Sequence, residues 1–291
     1  MTNTHHTGTP RDNTPQTDAT YPLTRRTLLG ATTAAALAAT TLTTGTARAE
    51  ATPRTPTPTT RNTPNTPTSA PTSPPTLSIG VYLYDGFSLL DPTGPTEVLS
   101  RLPGAEVTMI GTRRGPVRTD TLATAVHADR AFTEIDHLDV LLVPGGDERG
   151  TVGAMTDPAL QNWIRAIHRR TRWTTSVCTG SLILAATGLL DGREATTHWG
   201  SAAYLEANYD VTYLPRRYVE SGRIITAAGV SAGIDMALHL AARLTDEHTA
   251  QAIQLGIEYD PQPPFDAGDA TRADAALKAR ATELLLASQK R

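Results

Sequence analysis

Trp173-Thr174-Thr175-Ser176-Val177-Cys178-Thr179-Gly180-Ser181-Leu182-Ile183-Leu184-Ala185-Ala186 is the stretch whose reading decides the fold. Its first five residues are β-branched or apolar and predict a short buried strand. From Gly180 to Ala186 there are few polar side chains, which predicts a buried helix. Cys178 falls on the sharp turn between them, with the unpaired N–H groups of the helix start beside its sulfur. That positive end favours thiolate and is expected to lower the thiol pKa. The arrangement is a strand–nucleophile–helix elbow with sulfur in place of a hydroxyl. A buried structural cysteine is the alternative, because free Cys is among the most buried residue types. Cys178 is the only cysteine in 291 residues, which excludes an internal disulfide and a Cys-rich metal site.

Upstream of the elbow, Asp139-Val140-Leu141-Leu142-Val143 predicts a central strand that ends in Pro144-Gly145-Gly146. A glycine pair there lets backbone N–H groups approach a ligand, or simply makes a tight turn. The domain opens with a strand over Leu77 to Tyr84, apolar as in a sheet covered on both faces. After the Asp85-Gly86 turn, Leu89-Leu90-Asp91-Pro92-Thr93-Gly94-Pro95 leads into a helix over Thr96 to Leu102. Asp91 reads either as a helix cap or as a partly buried carboxyl facing the elbow. A strand over Ala105 to Ile110, a hairpin over residues 116–126, a connecting loop from His127 to His137 and an amphipathic helix over Asp157 to Arg170 complete this half. Downstream, Gly188 to Gly192 stops the elbow helix, and Ala195 to Trp199 opens another over Gly200 to Ala207. Strands are expected over Tyr209 to Tyr213 and Ile224 to Ala228, with helices over Ser231 to Leu244, Asp246 to Gly256 and Ala270 to Gln289.

Strands alternating with helices imply right-handed βαβ units. The expected fold is α/β, a three-layer sandwich with a mostly parallel central sheet flanked by helices. Sites in such sheets lie beyond the carboxyl ends of the strands. Asp91, Gly145, Gly146 and Cys178 each follow a strand end, so they are expected to converge on one crevice.

Residues 1–76 differ in kind. Thr24-Arg25-Arg26-Thr27-Leu28-Leu29, a weakly apolar Ala/Thr stretch and Ala47-Arg48-Ala49 occur in the order of a twin-arginine export signal with its cleavage site. Residues 1–49 are therefore read as that signal, and the protein as secreted or held in the cell envelope. The stretch is too short and too rich in Thr to remain as a membrane helix. Residues 50–76, with runs such as Thr55-Pro56-Thr57-Pro58, read as a disordered Thr/Pro-rich linker. The folded domain is then 77–291. A net charge of −3 and 5% aromatic residues give no reason to expect nucleic acid or an anionic membrane as partner. No HExxH or Cys/His ligand spacing occurs, so no metal and no cofactor are expected.

Together these landmarks resemble the ThiJ/PfpI superfamily, whose fold is flavodoxin-like and close to that of class I glutamine amidotransferases. They are Leu90 to Pro95, Val143 to Gly146, Thr175 to Leu182, Ala195 to Trp199, Gly233-Ile234-Asp235 and Glu258 to Phe265. Within the superfamily the chain is similar to the isonitrile hydratase branch. That resemblance implies addition of water to an isocyanide to give an N-substituted formamide. It implies Cys178 as nucleophile, Asp91 as proton donor, and Thr179 with the N–H groups near Gly145 and Gly146 orienting the bound group. It also implies a small-molecule substrate and a homodimer. Many thiol hydrolases of the superfamily carry His directly after Cys, where this chain has Thr179; His198, opening a helix, is read as structural. Another thiol-dependent hydrolysis, or a non-catalytic small-molecule or redox sensor, remains the alternative.

Overall fold

The computed structural model describes residues 77–289; the export signal and linker read at 1–49 and 50–76 lie outside the described residues. The chain runs β1 (Leu77–Tyr82), α1 (Leu90–Leu99), β2 (Ala105–Gly111), β3 (Gly115–Arg118), β4 (Ala125–Ala128), β5 (Arg130–Ala131) and β6 (Val140–Val143). It continues through α2 (Glu148–Thr156), α3 (Pro158–His168), β7 (Trp173–Val177), α4 (Gly180–Ala186), β8 (Arg193–Ala195), α5 (Ala202–Asn208) and β9 (Val211–Tyr213). It ends with β10 (Tyr218–Ser221), β11 (Ile224–Ala227), α6 (Ala232–Leu244), α7 (Glu247–Gly256) and α8 (Ala275–Ser288).

Seven strands form one sheet in the order β10-β11-β7-β6-β1-β2-β5. Only the β10–β11 pair is antiparallel, and every other pairing in the sheet is parallel. The order reverses direction at β1, since β2 and β5 lie on one side of it and β6, β7 and β11 on the other. Right-handed crossovers then send α1 to one face and α2 to α4 to the other. Their packing agrees: α1 lies against α6, which also carries α7, whereas α2, α3 and α4 pack together. The expected mostly parallel sheet flanked by helices is the observed fold. β6 is buried at all four positions, as a strand covered on both faces must be.

Several local expectations shift, each for a physical reason. α1 begins at Leu90 rather than Thr96, so Asp91 lies in its first turn. Pro92 falls there too, where a missing N–H removes no helical bond, and Pro95 is carried inside the helix. α2 fills a stretch with no element assigned from sequence: Asp147 Oδ1 accepts from the Gly150 N–H at 2.6 Å and caps a helix whose two glycines hide its propensity. Residues 193–195 are strand rather than the approach to a helix, because they pair in parallel with β9. β10 is a short edge strand with no sequence signal of its own. The hairpin expected over 116–126 is β3–β4.

At the end of α3, His168 is only 9% exposed and its Nδ1 lies 2.8 Å from Thr174 Oγ1. Burial, with Arg223 and Arg193 nearby, lowers its pKa from 6.5 to about 4. The folded state thus holds a neutral imidazole that the unfolded chain protonates first. The stability it contributes is complete above pH 6.5 and is lost as pH falls towards about 4. His168→Gln is expected to reduce the acid-induced fall in the urea midpoint across that window. A constant difference between wild type and variant from pH 6.5 down to about 4 would contradict this.

Candidate active site

The elbow is formed as the sequence implies. β7 delivers Cys178 at the carboxyl edge of the sheet and α4 starts two residues later. Cys178 has φ +57°, a left-handed conformation that a non-glycine residue adopts only when its surroundings hold it. Those surroundings are visible. Its N–H donates to the carbonyls of Ala227 and Ala228 at 3.0 and 2.7 Å. Its carbonyl accepts from the hydroxyls of Ser181 and Thr197 at 3.1 and 3.2 Å. Gly180 completes the turn, because a side chain there would strike the Val143 carbonyl.

Asp91 is fully buried. Its Oδ2 accepts from the Gly145 N–H at 2.7 Å, and its Oδ1 has no hydrogen-bond partner among the described residues. An ionised carboxylate so placed would be costly. Burial raises the Asp91 pKa from 3.8 to about 7, against the lowering effect of the Gly145 N–H; the nearby Asp120 carboxylate adds to the rise. This settles the local reading of Asp91, which caps nothing: no side-chain cap occurs on α1.

Gly145 joins the two groups. A Cβ at Gly145 would stand 2.8 Å from Cys178 Cβ and 2.6 Å from Thr179 Oγ1, so only glycine lets β6 end against the elbow. The role expected of this glycine pair changes in one respect. The Gly145 N–H is already given to Asp91, and the Gly146 N–H to Thr179 Oγ1 at 3.0 Å. They fix the two polar side chains rather than offering free donors to a ligand. Thr179 Oγ1 also lies 3.1 Å from Thr151 Oγ1.

The thiol expectation is reversed. Burial pushes the Cys178 pKa well above its ordinary value, and the Asp91 charge pushes the same way. The Thr179 N–H and hydroxyl favour thiolate but do not outweigh these effects. α4 has seven residues, so its N-terminal field is a weak counterweight. At rest the pair is a carboxyl with a pKa near neutrality beside a protonated thiol.

Three residues of this site escaped the sequence reading. Asp120, 7% exposed, lies in the β3–β4 connection, where an Asp reads as turn-forming. Its N–H donates to the Phe87 carbonyl at 2.9 Å, and Ser88 on the same short segment donates to the Gly145 carbonyl at 2.9 Å. Thr151 is hidden in the unexpected α2, and Thr197 sits in a polar run with no periodicity. Close to the pair lies a cavity of about 1090 Å³, lined by neighbours of Asp91 and Cys178 rather than by those two residues themselves. Leu90, Thr197 and Ala228, each touching or adjoining Asp91 or Cys178, form its inner end, and residues 259–272 contribute to its outer wall. His198 lines it as well. Its ring accepts from the Gly200 N–H at 3.3 Å and lies against Trp199, and burial lowers its pKa. Among the described residues no group of three His, Cys, Asp or Glu side chains is arranged to hold a metal ion.

The DJ-1/PfpI family profile matches residues 77–243. The chain belongs to the DJ-1/PfpI family. It is 40% identical over 203 residues to the isonitrile hydratase of Pseudomonas putida, across 69% of this chain and 86% of that protein. It is 34% identical over 149 residues to the HTH-type transcriptional regulator CdhR of Pseudomonas aeruginosa, across 51% of this chain but only 41% of the regulator. A crystal structure of a ThiJ/PfpI family protein from Pseudomonas syringae superposes with a TM-score of 0.68 at 35% identity, covering 73% of this chain and 87% of the other. Drosophila melanogaster DJ-1beta superposes with a TM-score of 0.57 at 22% identity, covering 62% and 97%, and shares the fold.

The raised carboxyl pKa has a measurable consequence for stability. Between pH 3.8 and about 7 the unfolded chain releases the Asp91 proton while the folded protein keeps it, so stability falls as pH rises through that window. The slope is up to about 1.4 kcal/mol per pH unit. Asp91→Asn is expected to remove this decline and to be the more stable protein near neutrality. Urea titrations of both proteins at several pH values check it; equal slopes would mean that Asp91 is ionised in the fold.

Proposed function

We propose that the protein is a cysteine-dependent isonitrile hydratase, adding water to an isocyanide to give an N-substituted formamide. The observation that carries this reading is Asp91: buried, held by one oxygen at Gly145, with the other oxygen unpartnered beside a buried thiol. The similarity to a protein named isonitrile hydratase supports it.

An isocyanide's terminal carbon must gain both a proton and a nucleophile, since its free anion is too unstable. A carboxylate with a thiol is one proton transfer away from a carboxylic acid with a thiolate, so this pair supplies both. Asp91 takes the Cys178 proton and passes it to the carbon as sulfur bonds to the same atom. R–N≡C and the thiol become the thioimidate R–N=CH–S–Cys. The Asp91 carboxylate then accepts a proton from the water that attacks this carbon, and the nitrogen gains it. The adduct R–NH–CH(OH)–S–Cys collapses, breaking C–S, to R–NH–CHO, and sulfur recovers the hydroxyl proton. Thr179 steadies the sulfur through its N–H and hydroxyl. With the export signal read at residues 1–49, this hydration takes place outside the cytoplasm, and the protein acts as a homodimer.

The full-length protein is expected to convert cyclohexyl isocyanide to the formamide, followed by chromatography. Cys178→Ala abolishes turnover, and Asp91→Asn lowers kcat by about a hundredfold or more. Failure of a folded protein with a confirmed reduced thiol to form any formamide would sink the reading.

A pH profile tests the division of labour. Below about pH 7 both Asp91 and Cys178 hold protons and no base is left, so kcat/KM rises as pH increases through about 7 and then levels. A profile that falls through neutrality would instead require the protonated carboxyl in the free enzyme.

A further inference from the structure

The cavity near the catalytic pair holds one arginine without a carboxylate partner among the described residues. Three arginines and two aspartates line it: Arg216, Arg217 and Arg272 against Asp235 and Asp269. Arg217 pairs with Asp235 at 2.6 Å, and Arg272 with Asp269 at 2.7 Å and with Asp266 at 2.6 Å. Asp235 also accepts from the Tyr259 hydroxyl at 2.6 Å, which ties it to the outer wall. Arg216 has no carboxylate partner among the described residues. His198, its pKa lowered by burial, supplies no charge near neutrality.

The backbone of Arg216 is fixed relative to the chemistry, and its side chain is exposed. Its carbonyl accepts from Thr196 Oγ1 at 3.1 Å, and the next residue, Thr197, donates to the carbonyl of Cys178. Thr196 and Thr197 therefore link the backbone of the nucleophile to the backbone of Arg216. The same cavity is lined by Trp199, Tyr213 and Pro215, surfaces suited to a hydrocarbon chain.

Building on the hydratase reading, we propose that the substrate is an isocyanide whose far end carries a carboxylate, with Arg216 receiving that carboxylate and the aromatic wall its hydrocarbon body. Guanidinium matches a carboxylate in a planar, two-bond geometry, and a partner on the open side of a cavity adds selectivity more than catalysis. The hydration product would then be an N-formyl amino acid.

The test uses the full-length protein with a short series of straight-chain isocyanoalkanoates and their methyl esters. A carboxylate is expected to be preferred over its ester, by about threefold to tenfold in kcat/KM, mainly through KM. Arg216→Gln is expected to abolish that preference while leaving turnover of the esters and of cyclohexyl isocyanide unchanged. Cyclohexyl isocyanide hydrated with no preference for carboxylates, or a preference that survives Arg216→Gln, overturns this proposal and leaves the hydratase reading standing. If no isocyanide is turned over, calorimetry still decides the pocket. An N-formyl aminoalkanoate that binds wild type more tightly than Arg216→Gln, with its methyl ester binding both equally, supports the anion site; equal binding to both proteins overturns it.

Discussion

The hydrogen bond from the Gly145 N–H to Asp91 is the constraint on which the rest depends. It joins the start of α1 to the end of β6, and the same glycine presses against Cys178 and Thr179 at the end of β7. Three strand ends can meet this way only where parallel strands share a carboxyl edge and the sheet order reverses beside them, which here is at β1. A side chain at Gly145 would separate the carboxyl from the thiol. The positive φ of Cys178 belongs to the same set of conditions: the strained turn is held by backbone bonds to Ala227 and Ala228 on the neighbouring strand and its exit.

Burial of Asp91 sets a balance between stability and chemistry. A carboxyl with one hydrogen bond and no cation cannot ionise cheaply, so its proton is retained up to about pH 7. The fold accepts a titrating group that weakens it as pH rises, whereas buried neutral His168 weakens it as pH falls. The two dependences run in opposite directions over nearly the same window. Wild-type stability is consequently flatter between these limits than either group alone would make it, because each masks the other. Asp120 belongs to this balance: its charge raises both the Asp91 and Cys178 pKa values.

The layered α/β fold and the elbow were legible in the sequence because both rest on strong local signals. Apolar runs such as Val140 to Val143 read as doubly covered strands, and the change of pattern at Cys178 marks strand end and helix start. Convergence of Asp91, the glycine pair and Cys178 followed from topology alone. What local pattern could not carry was decided by tertiary pairing. β8 and β10 are three and four residues long and exist by virtue of their partners. α1 carries prolines that read as a turn. The direction of the Cys178 pKa was missed for a related reason. Helix position is visible in a sequence, but complete burial and a carboxylate from 87 residues upstream are not. Asp120 and Thr151 were hidden in the same way, since only tertiary packing brings Asp120 to Phe87 and Thr151 to Thr179.

The raised thiol pKa also bears on which chemistry suits the site. A redox sensor needs an exposed thiolate that oxidants can reach, and Cys178 is buried with its proton held. An amidase of the adjacent Cys–His kind needs an imidazole that both takes the thiol proton and protonates a departing amine. Thr179 stands at that position, and His198 is engaged at a helix start with its pKa lowered. The pair that can exchange a proton near neutrality is then the Asp91 carboxyl and the Cys178 thiol. Addition across a carbon that needs a nucleophile and a proton together consumes that proton and returns it when sulfur leaves. No leaving group other than the thiol itself has to be protonated. The hydratase chemistry proposed above asks for no acid–base group beyond this carboxyl and this thiol.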